Sequence, residues 1–96
     1  MEAHFDIDLT LYSAEAGGRK EAISGEGFAC PCLLDRENKI FADCRLILHG
    51  QIIAPGETKR VGIRFSHEPA AAMFFAARVF RLWDGRPIGE AIVVKA

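Results

Sequence analysis

Three cysteines carry the most specific chemistry that this sequence could support. Cys30 and Cys32 are separated only by Pro31, and Cys44 lies in the next apolar segment. Their three thiolates, with His49 as a fourth ligand, could in principle hold a zinc ion. Paired zinc ligands usually have two residues between them, whereas a one-residue spacer on a strand places both thiols on one face, about 7 Å apart. The spacing therefore favours core packing, so we predict no metal or cofactor; a cysteine-based metal-binding or thiol redox protein is the alternative.

The three histidines are the remaining candidates for acid–base catalysis. His4 lies on the polar side of an alternating segment, His49 lies beside a break in the pattern, and His67 precedes an acidic residue and a proline. None has a neighbouring serine or cysteine in a nucleophile signature such as G-x-S-x-G. Solvated surface histidines explain this distribution, so we predict that the chain is not an enzyme.

A glycine-rich basic loop at residues 17–20 (GGRK) suggests phosphate binding. A phosphate-binding P-loop requires G-x-x-x-x-G-K-[ST] between a strand and a helix, but Glu21 follows the lysine here. Nucleotide binding is therefore not expected. Arg19 and Lys20 could contact a nucleic-acid phosphate backbone, and the alternative is an exposed loop that only adds solubility.

Composition restricts the class of protein further. The chain has 96 residues, which we interpret as one domain over residues 1–96, and its formal net charge is -1. Such a charge gives no overall attraction to nucleic acid or to an anionic membrane. The first residues show no basic start followed by an apolar stretch, and no apolar run approaches the ~18 residues that span a bilayer. We expect a cytoplasmic protein with reduced thiols.

Period-two alternation of apolar residues predicts the elements that position these groups. Residues 3–12 alternate throughout, which is typical of a half-buried strand. Further strands are predicted at residues 28–34, 40–48, 58–65, 75–83 and 86–95. Polar or glycine-containing turns at residues 35–38, 54–57 and 84–85 separate them. Six strands without alternating helices indicate an antiparallel barrel or sandwich.

Two segments give conflicting signals. Pro31 cannot donate a hydrogen bond, which favours a sheet edge for the second strand. Residues 68–78 combine an early proline with alanines, a local helix signal, but no capping glycine follows. We therefore expect a loop with about one helical turn there. In the final strand, Gly89 and Ala91 share one face, with Ile88 and Ile92 on the other.

An apolar stretch near the fifth strand indicates an interaction surface. Alternation fails there, because Phe80 faces opposite to Trp83 and both sides of the strand are apolar. With Phe74 and Phe75, these residues are candidates for a partner interface, either with another protein or with a second copy of the chain. The alternative is that they cap the barrel end.

The order of motifs resembles the C-terminal domain (domain 3) of translation elongation factor Tu. The matching segments are residues 17–20 (GGRK), 24–25 (SG), 55–58 (PGET), 67–73 (HEPAAAM) and 85–95 (GRPIGEAIVVK). They correspond to the family's E-x-G-G-R loop, its S-G before an aromatic strand, M-P-G-D, an H-P-x-A-M-like stretch and G-R-T-V-G-x-G-V-V-x-K. The resemblance covers nearly the whole chain, and its closing motif is the most specific.

This resemblance implies a closed six-stranded antiparallel β-barrel with an ordered loop near residues 68–74. It also implies a non-catalytic, translation-related binding module, with Arg19, Lys20, Gly85 and Arg86 as RNA-binding candidates. The family's G-Y-R-P-Q-F-Y-F-R-T-T-D stretch is altered at residues 25–35, where the arginine and both threonines are missing. A protein partner or self-association is therefore favoured over a tRNA-like RNA.

Overall fold

Six β-strands form a closed antiparallel barrel in the computed structural model, which describes residues 2–34, 37 and 39–94. The strands are β1 Phe5–Leu11, β2 Ala29–Leu33, β3 Phe41–Ile47, β4 Thr58–Phe65, β5 Val79–Trp83 and β6 Pro87–Val93. Their order around the barrel is β1-β4-β3-β2-β5-β6, and β6 pairs with β1 to close it. A 3₁₀ turn, Ala14–Ala16, follows β1, and one helix, α1 Glu68–Ala77, connects β4 to β5. The predicted six-stranded barrel is confirmed.

Alternation along the strands fills the barrel interior. In β1, Ile7, Leu9 and Leu11 are completely buried. Four aromatic rings pack at one end of the core, and we call them the inner aromatic cluster: Phe5, Phe65, Phe74 and Phe80. Their ring centroids are 4.8 to 5.9 Å apart from neighbour to neighbour, which is the usual range for stabilising aromatic pairs.

The two glycine turns form as the sequence predicts. Gly56 has a φ of 89°, and the Glu57 N–H donates to the Ala54 carbonyl at 3.0 Å. Gly85 has a φ of 71° at the tip of the β5–β6 hairpin, where the Asp84 N–H donates to the Arg86 carbonyl at 2.9 Å. Most of the turn predicted at residues 35–38, and position 95 of the last predicted strand, lie outside the described residues.

The segment before β5 is an α-helix of ten residues, so the predicted loop is wrong. Arg78 ends the helix with a φ of 73°, and its N–H donates to the Phe75 carbonyl at 3.3 Å. Arg78 thus adopts the positive-φ conformation that a glycine usually adopts at the end of a helix. Ala70, Ala71 and Phe74 are buried against the barrel, and this burial stabilises the helix. The fifth strand accordingly begins at Val79 and not at Phe75.

Strand β2 has a neighbour on both sides, so Pro31 does not mark a sheet edge. The Leu34 N–H donates to the Ile40 carbonyl, and the Leu46 N–H donates to the Phe28 carbonyl. The even-numbered residues of β2 therefore form the hydrogen-bonded pairs with β3. The nitrogen of Pro31 therefore faces β5, as expected from antiparallel pairing. On that side the ladder includes only Cys32 and Leu33, so no donor is missing.

A register shift in the β5–β6 hairpin changes the faces predicted for β6. Trp83 is opposite Pro87 and Leu82 is opposite Gly89, so Ile88 is the extra residue of a bulge. Ile88 is completely buried, whereas Ile92 is 48 % exposed. The prediction that these two isoleucines share a filled face is therefore wrong. Within the described part of the chain, no helix is long and apolar enough to cross a membrane.

Candidate functional site: an aromatic groove beside the β5–β6 hairpin

The four aromatic residues expected at a partner interface occupy different environments. Phe74 and Phe80 belong to the inner aromatic cluster, with their rings perpendicular at 5.0 Å. Their side chains cannot reach a partner, because α1 covers the barrel end and the alternation of β5 directs Phe80 inward. Phe75 is half-buried against Phe5 at 5.3 Å. Trp83 faces an open groove, and Phe75 lines a separate hollow beside α1.

Trp83 and Phe41 form the walls of this groove. Their rings meet edge to face, with centroids 5.7 Å apart at 70°, and Phe41 is 44 % exposed. The groove has a volume of about 390 Å³ and is lined by Leu33, Lys39, Phe41, Trp83 and Pro87, a set that we call the groove. Four of the five side chains are apolar.

The barrel itself fixes the positions of the groove residues. Leu33 of β2 lies opposite Phe41 of β3 and, on its other side, opposite Arg81 of β5. Trp83 lies opposite Pro87 across the β5–β6 hairpin. Leu33, Trp83 and Pro87 each adjoin a buried residue of their strand, namely Cys32, Leu82 and Ile88, and therefore belong to the outer face. The groove is therefore built on paired strands and needs little rearrangement to accept a ligand.

Most of the groove was missed at the sequence level. Trp83 was among the predicted interface residues, but Leu33, Lys39, Phe41 and Pro87 were not. The sequence does contain a signal at Phe41, because alternation places this aromatic residue on the face of its strand opposite to Ala42 and Cys44. Which outward residues of different strands meet depends on the strand order, and this was not available from the sequence.

The predicted RNA-binding residues do come together in space. The Arg86 guanidinium donates to the Gly17 carbonyl through Nε at 2.6 Å and to the Gly18 carbonyl through Nη2 at 3.0 Å. These bonds attach the β5–β6 hairpin to the basic loop. Gly85 lies at the hairpin tip, and Arg19, Lys20, Glu21 and Arg86 line a hollow of about 250 Å³, which we call the basic hollow.

Two of the three cations in the basic hollow already have partners within the chain. Arg19 lies over the Phe28 ring at 5.1 Å, donates from Nε to the Glu21 carbonyl at 3.3 Å, and approaches Asp84 at 3.9 Å. Arg86 is occupied by its two carbonyls. Lys20 is exposed to solvent. The hollow therefore offers fewer available charges than the sequence suggested.

The three cysteines are buried together inside the barrel. The Cys32 thiol donates to the Cys44 sulfur at 2.9 Å. The hydrogen bond with the Cys44 thiol, followed by burial, raises the pKa of the Cys30 thiol. For Cys44 the contact with Cys30 acts to lower the pKa, but the bond from Cys32 and burial outweigh it and raise the pKa. The neutral thiol is thus strongly favoured, as expected for core packing.

The remaining candidate ligands are dispersed. His4 Nδ1 accepts the Phe65 N–H at 3.0 Å, and its buried Nε2 has no hydrogen-bond partner among the described residues. His49 lines a separate hollow with Arg45. Within residues 2–34, 37 and 39–94, no three histidine, cysteine or acidic side chains are grouped so that they could hold a metal ion.

Comparison with known proteins adds no identification. Neither the protein-family models nor the curated proteins include a match to this sequence. The resemblance to domain 3 of elongation factor Tu therefore stays a prediction, and the interpretation of the groove rests on its geometry.

Proposed function

We propose that this barrel is a non-catalytic binding module that takes a protein partner in the groove. The observation that carries the proposal is the edge-to-face pair of Phe41 and Trp83, which lines an open apolar groove on the outside of a filled barrel. Aromatic side chains at the centre of a contact carry a large share of the binding energy in many interfaces. Because strand pairing holds both rings, little conformational entropy is lost on binding.

The closed barrel favours side-chain contact over strand addition. Each of the six strands is paired on both sides, although β2 and β5 pair at only two positions, so a partner has little free strand edge to extend. Insertion of the partner's own side chains between those of the groove is therefore favoured. The same architecture agrees with the resemblance to domain 3 of elongation factor Tu, and a translation-related partner is part of this proposal.

Affinity capture from the source cell, repeated with groove variants, tests the proposal. Phe41→Ala removes one wall of the groove, whereas Ile52→Ala removes an apolar side chain that is 56 % exposed at another place on the surface. We expect a partner that wild type and Ile52→Ala capture equally and that Phe41→Ala loses. Equal capture by all three proteins would place the contact elsewhere and overturn the proposal.

RNA binding at the basic hollow is a second candidate function, favoured by the convergence of Arg19, Lys20 and Arg86 on one hollow. Contacts with phosphates would make affinity fall with salt, by a slope of about one per contact. We expect Arg19→Ala combined with Lys20→Ala to weaken tRNA binding and to reduce this slope. Lys59→Ala on β4 is the control. An unchanged affinity and slope would exclude the candidate.

A further inference from the structure

We infer that the segment bound in the groove carries a large apolar residue directly beside a carboxylate. The inference rests on the proposed function and adds the chemistry of the partner. It follows from the two kinds of side chain that meet in the groove, four of them apolar and one cationic.

The apolar part of the groove selects the anchor residue. Leu33 is only 5 % exposed, whereas Phe41 is 44 % exposed and stands beside it on the neighbouring strand. Together with Trp83 and Pro87 they leave space for a leucine-sized or phenylalanine-sized side chain. Such a side chain would cover surface of Phe41 that otherwise contacts water, which is the main source of affinity in a contact of this kind.

The charge at the groove indicates which kind of residue lies beside the apolar anchor in the bound segment. Among the described residues, Lys39 is the one charged side chain that lines the groove, and it forms no ion pair with any of the others. Arg81, opposite Leu33 on β5, does not line the groove: its Nε donates to the Tyr12 hydroxyl at 3.2 Å, and its Nη2 lies 4.0 Å from Glu90. Three described acids lie near the groove but do not line it: Asp84 approaches Arg19, Asp43 lies opposite Pro31, and the exposed Glu37 precedes Lys39 by two residues.

A second copy of this chain is a poorer occupant than an acidic segment. In a two-fold contact centred on the groove, the same surface of both copies would meet. Lys39 of one copy would then approach Lys39 of the other, and like charges facing each other reduce affinity. A carboxylate beside the apolar anchor, in contrast, would be attracted to Lys39.

The single tryptophan of the chain, Trp83, reports directly on groove occupancy. The probes are three synthetic eight-residue peptides without tryptophan or tyrosine: Leu-Phe flanked by glutamates, Leu-Phe flanked by lysines, and Ala-Ala flanked by glutamates. Titration at low salt should shift the emission of Trp83 with the first peptide. We expect it to bind at least ten times more tightly than either of the others.

Two variants assign the preference to the named residues. Lys39→Glu changes an exposed side chain and should reverse the order of the glutamate- and lysine-flanked peptides. Phe41→Ala should weaken both Leu-Phe peptides by at least tenfold. Ile52→Ala, outside the groove, should leave the affinities unchanged.

The possible contrary results separate this inference from the proposed function. Equal affinity for the two Leu-Phe peptides would overturn the charge preference and leave the apolar groove intact as a binding site. Equal affinity for the two glutamate-flanked peptides would show that the apolar anchor is not recognised, which overturns the inference. If no peptide binds at millimolar concentration, both the inference and the proposed function of the groove fail. A concentration-dependent dimer that Phe41→Ala abolishes would identify a second copy as the occupant and overturn the inference.

Discussion

The inner aromatic cluster and the groove both contain aromatic side chains, but the cluster stabilises the barrel, whereas the groove is the proposed binding site. Phe74 and Phe80 are buried and meet at 5.0 Å, in contact with rings from β1 and β4. Phe41 and Trp83 meet in a similar edge-to-face geometry at 5.7 Å, yet Phe41 remains 44 % exposed. The inner rings are packed on all sides, whereas the outer pair leaves a groove open. The presence of aromatic residues in a region therefore does not tell whether that region stabilises the fold or binds a partner.

Strand alternation causes this difference. On β5, Phe80 and Trp83 are three residues apart, so they lie on opposite faces of the strand. On β3, Phe41 faces outward while Cys44 faces the core. If the inner rings stabilise the barrel and the outer pair binds a partner, changes to the two regions should have separable effects.

The thiols of the interior should react at least about 10³-fold more slowly than those of the unfolded chain, because reaction requires opening of the barrel. Reaction with a disulfide reagent at pH 8, with and without urea, measures the ratio, and acrylamide quenching of Trp83 in the folded protein is the control for access to the groove. Rapid reaction of Cys30 or Cys44 in the folded protein would contradict this expectation and would support the alternative that the chain is a thiol redox protein.

The raised thiol pKa values of Cys30 and Cys44 also predict a pH dependence of stability. A raised pKa in the folded state stabilises the protein fully at pH values below the pKa of the unfolded thiol, about 8.5. Above that pH the unfolded chain loses protons that the folded chain retains, so the free energy of unfolding should fall. Urea unfolding at pH 7 and pH 10, repeated with Cys44→Ala, measures the contribution of this thiol.

Truncation of an inner ring should destabilise the fold much more than truncation of an outer ring. Phe74→Ala leaves a cavity in the core and should lower the free energy of unfolding by about 3–5 kcal/mol. Phe41→Ala loses one exposed aromatic contact, for which we expect about 1 kcal/mol. Urea denaturation compares the two, and equal losses would contradict the division between stability and binding.

Arg86 should matter for stability more than Lys20, although both line the basic hollow. Arg86→Ala removes two hydrogen bonds that attach the hairpin to the Gly17–Gly18 carbonyls, at an expected cost of about 1–2 kcal/mol. Lys20→Ala changes an exposed side chain and should cost less than about 0.5 kcal/mol. If thermal unfolding shows no difference between them, the hairpin is held by its strand pairing alone.

The smallest effect should come from the surface pair of Asp8 and Arg60. The Arg60 guanidinium, bonded through Nε at 2.9 Å, lowers the pKa of the Asp8 carboxyl. A lowered folded-state pKa stabilises the protein above the unfolded value of about 3.9 and loses this effect as pH falls below it. Both groups are solvated, so salt should screen the effect. Acid titration of stability with Asp8→Asn checks it, and an identical profile for the variant would contradict it.

The barrel could be predicted from sequence because local alternation determines which residues point inward. Residues 58–65 and the two glycine turns show this, since each depends on neighbours in sequence. The helix of residues 68–77 was missed because its stability comes from burial of Phe74 under the barrel end, and because Arg78 adopts the positive φ usually left to glycine. Both are tertiary effects.

The candidate site was predictable only in part, for a related reason. Arg19, Lys20, Gly85 and Arg86 were named as RNA-binding candidates on the resemblance, and the fold brings their two segments together. The Arg86 guanidinium is occupied by backbone carbonyls, which no sequence motif reveals. The groove combines residues of β2, β3 and the β5–β6 hairpin. Its existence depends on β2 lying between β3 and β5, a long-range arrangement that alternation cannot specify.

The affinity of the glutamate-flanked Leu-Phe peptide for Phe41→Ala, relative to wild type, is the most direct test of the groove as the binding site. We predict a dissociation constant at least ten times higher for the variant, while its free energy of unfolding stays within about 1 kcal/mol of wild type. A variant that is equally stable and binds the peptide with unchanged affinity would contradict the assignment of binding to the groove.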